Sequence, residues 1–268
     1  MSNPPHVHSE DSSPKPREAP TSHPDGPPAV NDMRIEKLVV WRVAEREVGR
    51  ARLRFRNRRR EIESNMTPEK ASAGLSVFHP VVADWFERQI GEPTEVQSRV
   101  WPRIAAGENV LVTAPTGSGK TLAAFLWSLN QLLTGQWRGG RTKVLYVSPL
   151  RALNNDIQRN LLAPLGQLES EFEAAGERPE AVRVQTRSGD TPSSERQKML
   201  RLPPEVLITT PESLNILLTS KGGRSILGSV ECVILDEIHA VAGGKRGTHL
   251  ITAVERLGLL AGEFQRIA

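Results

Sequence analysis

From about Ser76 onward the chain alternates short apolar runs with longer helical patterns. Five runs rich in Val, Ile and Leu stand out: Asn109–Ala114, Lys143–Ser148, Ala181–Thr186, Glu205–Thr209 and Val230–Leu235. They lack the polar alternation of a sheet with one wet face, so both faces of each strand are expected to be covered. Helices are expected over Lys120–Leu133, Ala152–Leu168, Glu212–Thr219 and about Thr248–Leu260. Strand and helix in alternation predict an α/β fold, a mostly parallel sheet with helices on both faces. In such sheets the reacting groups stand beyond the carboxyl ends of the strands.

The leading segment reads differently. Residues 1–32 hold eight prolines and almost no large apolar side chains, too little to offset the entropy of ordering them. Residues 34–60 carry eleven basic and three acidic residues, and Arg50, Arg52, Arg54, Arg56 and Arg58 alternate with other residues at a strand-like period. Two readings stand side by side: a nucleic-acid-binding arm, or a solvated tail. Met66 opens globular sequence, so Met1, Met33 and Met66 are all candidate starts. The expected division is a disordered extension over 1–65 and a folded domain over 66–268. Because the basic excess sits before Arg60, the net charge of +4 does not describe the body of the domain, and any nucleic-acid argument must rest on local residues.

Composition narrows the compartment. A single cysteine, Cys232, permits no intrachain disulfide. No apolar run approaches the ~20 residues that cross a bilayer, and the first thirty residues have no signal-peptide core. A soluble cytoplasmic protein is the expectation.

Two motifs carry the chemistry. Ala114-Pro115-Thr116-Gly117-Ser118-Gly119-Lys120-Thr121 follows the first run and opens a helix. Gly117 and Gly119 allow the tight turn that aims backbone N–H groups at phosphate oxygens, and the helix N-terminus adds partial positive charge. Lys120 can reach the β- and γ-phosphates of a nucleotide, and the Thr121 hydroxyl can sit on Mg²⁺. The Walker pattern asks for Gly where Ala114 stands; the rest matches. The second motif is Asp236-Glu237-Ile238-His239 at the end of the last apolar run. Asp236 is the candidate to hold Mg²⁺, and Glu237 the candidate to orient and deprotonate an attacking water.

Together these residues resemble superfamily 2 helicases of the DEAD/DExH type. Ser148-Pro149-Leu150-Arg151-Ala152-Leu153-Asn154-Asn155-Asp156 is similar to motif Ia of the large helicase-related (Lhr) proteins. So are Ser188-Gly189-Asp190-Thr191, Thr210-Pro211-Glu212-Ser213-Leu214 and Lys245-Arg246-Gly247. The resemblance runs from about Phe78 to the end of the chain and implies a P-loop NTPase domain of RecA type that uses ATP and Mg²⁺.

Further roles follow from the resemblance alone. Pro93-Thr94-Glu95-Val96-Gln97 looks like a Q motif, which makes Gln97 the residue to pair with adenine; Phe78 is either the ring to stack on it or an ordinary core aromatic. Thr116, Gly117, Ser118 and Gly119 would join Lys120 and Thr121 around the phosphates. Arg151, Gly189, Asp190 and Thr210 would line the path of one nucleic-acid strand, mainly through its phosphates. His239 would relay the nucleotide state. Lhr resemblance favours DNA and 3′-to-5′ movement. In the family the strand at Gln265–Ala268 runs on into a Ser-Ala-Thr motif and a second RecA-like domain with an arginine finger. The expectation is therefore the first motor domain of a larger helicase, unable to unwind alone. The alternative is a nucleotide- or nucleic-acid-binding fragment without turnover.

Overall fold

The computed structural model describes residues 39–40, 74–115, 117–148 and 154–268, with backbone only for 39–40 and 154–155. Thr116, Arg151 and nearly all of the leading 1–65 segment lie outside the described residues. No helix among the described residues is long and apolar enough to cross a membrane.

All five predicted runs form strands, each shorter than its apolar run: β2 (Val110–Leu111), β3 (Val144–Val147), β4 (Val184–Arg187), β5 (Val206–Thr209) and β6 (Cys232–Leu235). Two more complete the sheet, β1 (Val39–Val40) and β7 (Gln265–Ile267), in the order β1-β2-β7-β6-β3-β5-β4. β1 pairs antiparallel with β2. Every other pairing is parallel.

Alternate residues of the central strands feed two separate cores, as a strand's two-residue period requires. Val144 and Tyr146 of β3, with Val206, Ile208, Cys232 and Ile234, face one layer of helices. That layer is α1 (Pro80–Gln89), α2 (Glu95–Ala105), α3 (Lys120–Leu133) and part of the helix that follows β3. Leu145, Val147, Leu207 and Val233 face the other layer. It holds α6 (Ser193–Arg201), α7 (Pro211–Thr219), α8 (Lys221–Leu227) and α9 (Lys245–Ala261). Between the sheet and the surrounding helices, α3 is buried on every side from Leu122 to Leu133. A helix apolar on most of its faces belongs in an interior, and Ser128, Asn130 and Gln131 are carried in with it.

The helix after β3 departs from the single element expected. It comprises α4 (Asn154–Ile157), a π-helical turn over Gln158–Leu162, and α5 (Ala163–Ala174). Pro164 stands in the first turn of α5. Proline has no N–H to give to the preceding turn, so the ladder is interrupted there, and the wider π turn takes up the mismatch. The helix also runs six residues past the expected Leu168, because Leu168 and Phe172 continue its buried stripe.

An ion pair between a buried acid and a partly exposed arginine ties the sheet edge together. Glu205, 1% exposed, accepts from both Nε and Nη2 of Arg183 at 3.1 and 2.7 Å. It also accepts from the backbone N–H of Arg183 and of Gly140. Burial pushes the Glu205 carboxyl up, but these four donors outweigh it and hold the group below the usual carboxylate range.

Candidate functional site

The phosphate loop sits between β2 and α3. Gly117 and Gly119 have φ of 82° and 81°, the left-handed region that favours glycine. Gly119 is the N-cap of α3, and no side chain caps that helix end. Its first N–H groups and partial positive charge are thus left to an anion. The Ser118 hydroxyl is buried without a hydrogen-bond partner. Lys120 is folded onto its own loop, its Nζ 2.6 Å from the Ala114 carbonyl oxygen and 2.9 Å from that of Pro115.

The loop is braced from α2. Thr94 is the N-cap of α2 and forms a capping box with Gln97. The Thr94 hydroxyl donates to the Ser118 carbonyl at 3.0 Å. Gln97 accepts from Thr94 N through Oε1 and donates through Nε2 to the Gly119 carbonyl at 3.4 Å. Gln97 is only 2% exposed. Its carboxamide therefore stands beneath the loop, engaged at both ends, rather than open to a base.

Phe78 is also withdrawn. It is 8% exposed and meets Trp101 edge-on, with centroids 4.9 Å apart at 89°, and Trp127 at 6.0 Å. Edge-to-face packing holds the ring among core aromatics.

Asp236 and Glu237 follow β6, beside β3. Val147 of β3 is opposite both Leu235 of β6 and Thr209 of β5, and Thr209 is opposite Arg187 of β4. Four chain segments thus leave the sheet at one level: Ser148, Ser188, Thr210 and Asp236. This register brings motifs that are far apart in sequence to one edge. The Asp236 carboxylate accepts from Glu237 N at Oδ1, 2.9 Å, and from the Tyr146 hydroxyl at Oδ2, 2.6 Å. Burial first, and then the Asp236 charge, push the Tyr146 phenol far above its ordinary range, so it remains a proton donor. Glu237 has φ of 51°, the single non-glycine with positive φ among the described residues. Such a conformation costs about 1–3 kcal/mol and tends to cluster at working sites. Its carboxylate lies 3.0 Å from Nε2 of the exposed His239.

The loop after β4 is held by its neighbours. Arg196 donates to the carbonyls of Thr191 and Gly189 at 2.6 and 2.7 Å, and the Thr191 hydroxyl donates to Thr186 O. Gly189 and Asp190 are left exposed at the tip. Thr210 caps α7 and accepts from Ser213 N. From the same helix, Glu212 pairs with Arg246 at 2.7 Å, and Asn215 donates to His249 O, joining α7 to the start of α9. A Cβ at Gly247 would stand 2.4 Å from Val241 O, so the turn into α9 has room for glycine alone.

A family profile described as DEAD/DEAH box helicase matches residues 94–268. The chain belongs to the DEAD/DEAH box helicase family. Within that family it is 48% identical over 208 residues to the Lhr helicase/uracil glycosylase of Escherichia coli, covering 75% of this chain and 14% of that protein. It is 47% identical over 196 residues to an ATP-dependent helicase Lhr-Core of Methanothermobacter thermautotrophicus, covering 72% of this chain and 22% of that one. Among solved structures, the helicase Lhr of Mycobacterium smegmatis bound to ssDNA and AMP-PNP superposes with a TM-score of 0.68 at 47% identity, over 73% of this chain and 25% of that one. The DEAD-box helicase Mss116 has the same fold, with a TM-score of 0.60 at 21% identity. The chain thus spans a quarter or less of these Lhr relatives.

Tyr146 and Arg196 were not singled out from the sequence, and Thr94 was named only as part of its motif. Each acts through another site residue. For Tyr146 there was a faint signal, as the single tyrosine of the chain on a central apolar strand. The register that aims it at Asp236 is not written in β3 itself.

Proposed function

We propose that this chain is the ATP-binding first motor domain of an Lhr-type helicase that couples ATP hydrolysis to movement along nucleic acid, DNA rather than RNA. The observation that carries the reading is the shared level at which four motif-bearing segments leave β3, β4, β5 and β6. Nucleotide chemistry at Asp236 and strand contacts at Gly189, Asp190 and Thr210 would then share one rigid edge. Arg151 would contribute from the same motif set.

The donor set suits Mg²⁺. Each Asp236 oxygen has one hydrogen bond and keeps a lone pair free. Among the described residues no group of three or more His, Cys, Asp or Glu could cage a metal. A metal here must complete its shell with phosphate oxygens and water, as Mg²⁺ habitually does. Asp236 and the Thr121 hydroxyl would hold Mg²⁺, which supplies neutralisation of phosphate charge. The N–H groups of the loop and the α3 terminus bind the phosphates, with Lys120 turning from Ala114 and Pro115 toward them. Glu237 orients a water and takes its proton as the water oxygen bonds to the γ-phosphorus. The bond from that phosphorus to ADP breaks, and ADP leaves.

The test combines two measurements. A labelled single DNA strand should bind the chain and bind more weakly after Asp190→Ala with Thr210→Ala, and an RNA strand of equal length should compete poorly. ATP should turn over slowly, and Glu237→Gln should abolish that turnover while nucleotide binding persists. A chain that binds neither nucleotide nor strand would sink the proposal.

A further inference from the structure

We propose that Tyr146 is a positioning residue, fixing the Asp236 carboxylate for the magnesium–nucleotide complex from the adjacent strand. This rests on the reading of Asp236 given above and assigns a role to a residue outside the recognised motifs.

Three observations carry it. Tyr146 on β3 is opposite Ile234 on β6, so its side chain shares a sheet face with Asp236 two residues further on. Its ring is fully buried and stacks on Phe125 of α3, with centroids 4.9 Å apart at 29°. Its hydroxyl meets Asp236 Oδ2 at 2.6 Å, in the short range expected of a hydrogen bond to a charged acceptor. Tyr146 has no freedom to follow a moving partner, because ring and strand are both packed.

The consequence for Asp236 is geometric. Glu237 N holds Oδ1 from within the chain, and Tyr146 holds Oδ2 from across the sheet. Two fixed donors on two oxygens define the plane of the carboxylate. Without Tyr146 only the local Glu237 N–H bond remains, and the carboxylate can rotate. The Phe125 stack adds a link to α3, the helix whose N-terminus carries Lys120 and Thr121. The phosphate loop and the metal-side acid are thus referenced to one phenol. Partners of this kind, one shell out from the metal, change metal affinity by about 10–100-fold when removed.

The experiment is a titration of the whole chain with a fluorescent ATP analogue, in EDTA and across a magnesium series. Tyr146→Phe should raise the magnesium concentration for half-maximal binding about 10-fold, with binding in EDTA unchanged. Added to Asp236→Asn, the same substitution should have no further effect. A magnesium midpoint that is unchanged or lowered, or an equal factor on the Asp236→Asn background, would overturn the role. So would a variant that only melts earlier with its magnesium dependence intact. A wild-type chain with no magnesium-dependent binding overturns the reading of Asp236 as well, and is told apart because it needs no substitution.

A second measurement avoids any loss of folding. Tyr146 is the single tyrosine, so growth on 3-fluorotyrosine labels one position. Its fluorine resonance should shift with magnesium and nucleotide together, and not with nucleotide in EDTA. In Asp236→Asn that shift should disappear. A resonance indifferent to magnesium, or one that still moves in Asp236→Asn, overturns the proposal.

Discussion

The Lys120 ammonium stands 2.6 Å from the Ala114 carbonyl oxygen, bound to the loop whose phosphate ligand it would neutralise. Binding a phosphate therefore exchanges two carbonyl partners for an anion, and the gain is the difference between them. Lys120→Ala should weaken binding of a fluorescent ATP analogue at least 10-fold, since hydrogen bonds between charged groups are about twice as strong as neutral ones. The thermal midpoint of the unliganded chain should fall only slightly, because the carbonyls released are partly solvated. Equal nucleotide affinity in the two proteins would remove Lys120 from the site.

Gln97 acts through Gly119. Its amide supports the loop and is shut off from solvent, so Gln97→Ala should weaken ATP and GTP to the same degree. Isothermal titration with both nucleotides reads this directly. A loss confined to ATP would mean that the amide leaves Thr94 and Gly119 to read adenine. Gly119→Ala should be far more damaging, since its new Cβ would lie 2.5 Å from Gln97 Nε2 on a left-handed backbone.

Glu237 trades stability for position. Glu237→Gly relieves a positive φ and should raise the unfolding free energy by up to about 1 kcal/mol, while turnover is lost. Glu237→Gln keeps the shape and loses the base, which typically contributes 10²–10⁴ in rate. Denaturant melts and phosphate-release assays on the two variants separate these effects. A Glu237→Gly protein less stable than wild type would show that the His239 contact outweighs the strain.

Glu205 predicts an acid-sensitive edge. Its carboxyl is held below 4.5 in the fold, so its contribution is fully present above that value and is lost as pH falls through the lower, folded value. Glu205→Gln should cost about 2–3 kcal/mol at pH 7, below the usual figure for a fully buried pair because Arg183 is partly exposed. The gap from wild type should narrow steadily below pH 4.5 in urea melts. A gap independent of pH would mean that the loss is steric.

The body built on this one sheet should not separate strands by itself. Unwinding needs two bodies that close on the nucleotide, and a facing arginine is worth about 10³–10⁵ in rate in related nucleotide switches. Strand displacement under single-turnover excess should be absent, and nucleic acid should stimulate ATP turnover little or not at all. Robust displacement would require a second copy to serve as the facing half.

Local pattern determined much of this protein. The limits of α3 were legible to the residue, because Gly119 and the loop before it punctuate a mostly apolar helical stretch with no glycine or proline inside it. The five apolar runs announced a doubly covered sheet, and the phosphate loop and the Asp236–Glu237 pair were legible because their chemistry depends on neighbours in sequence. Tertiary structure alone decided which side chains meet across elements. The resemblance alone marked Phe78 and Gln97 for a base, and only the tertiary structure packs the one against Trp101 and Trp127 and engages the other with Gly119. The π turn before Pro164 was not predicted, since it answers a missing N–H, and β7 was implied by the resemblance alone, since its place in the sheet needs β2 and β6 as partners. Tyr146 reaches Asp236 only because parallel pairing sets Tyr146 against Ile234, ninety positions away from the acid it holds. Register is a property of two strands packed together, and neither strand encodes it by itself.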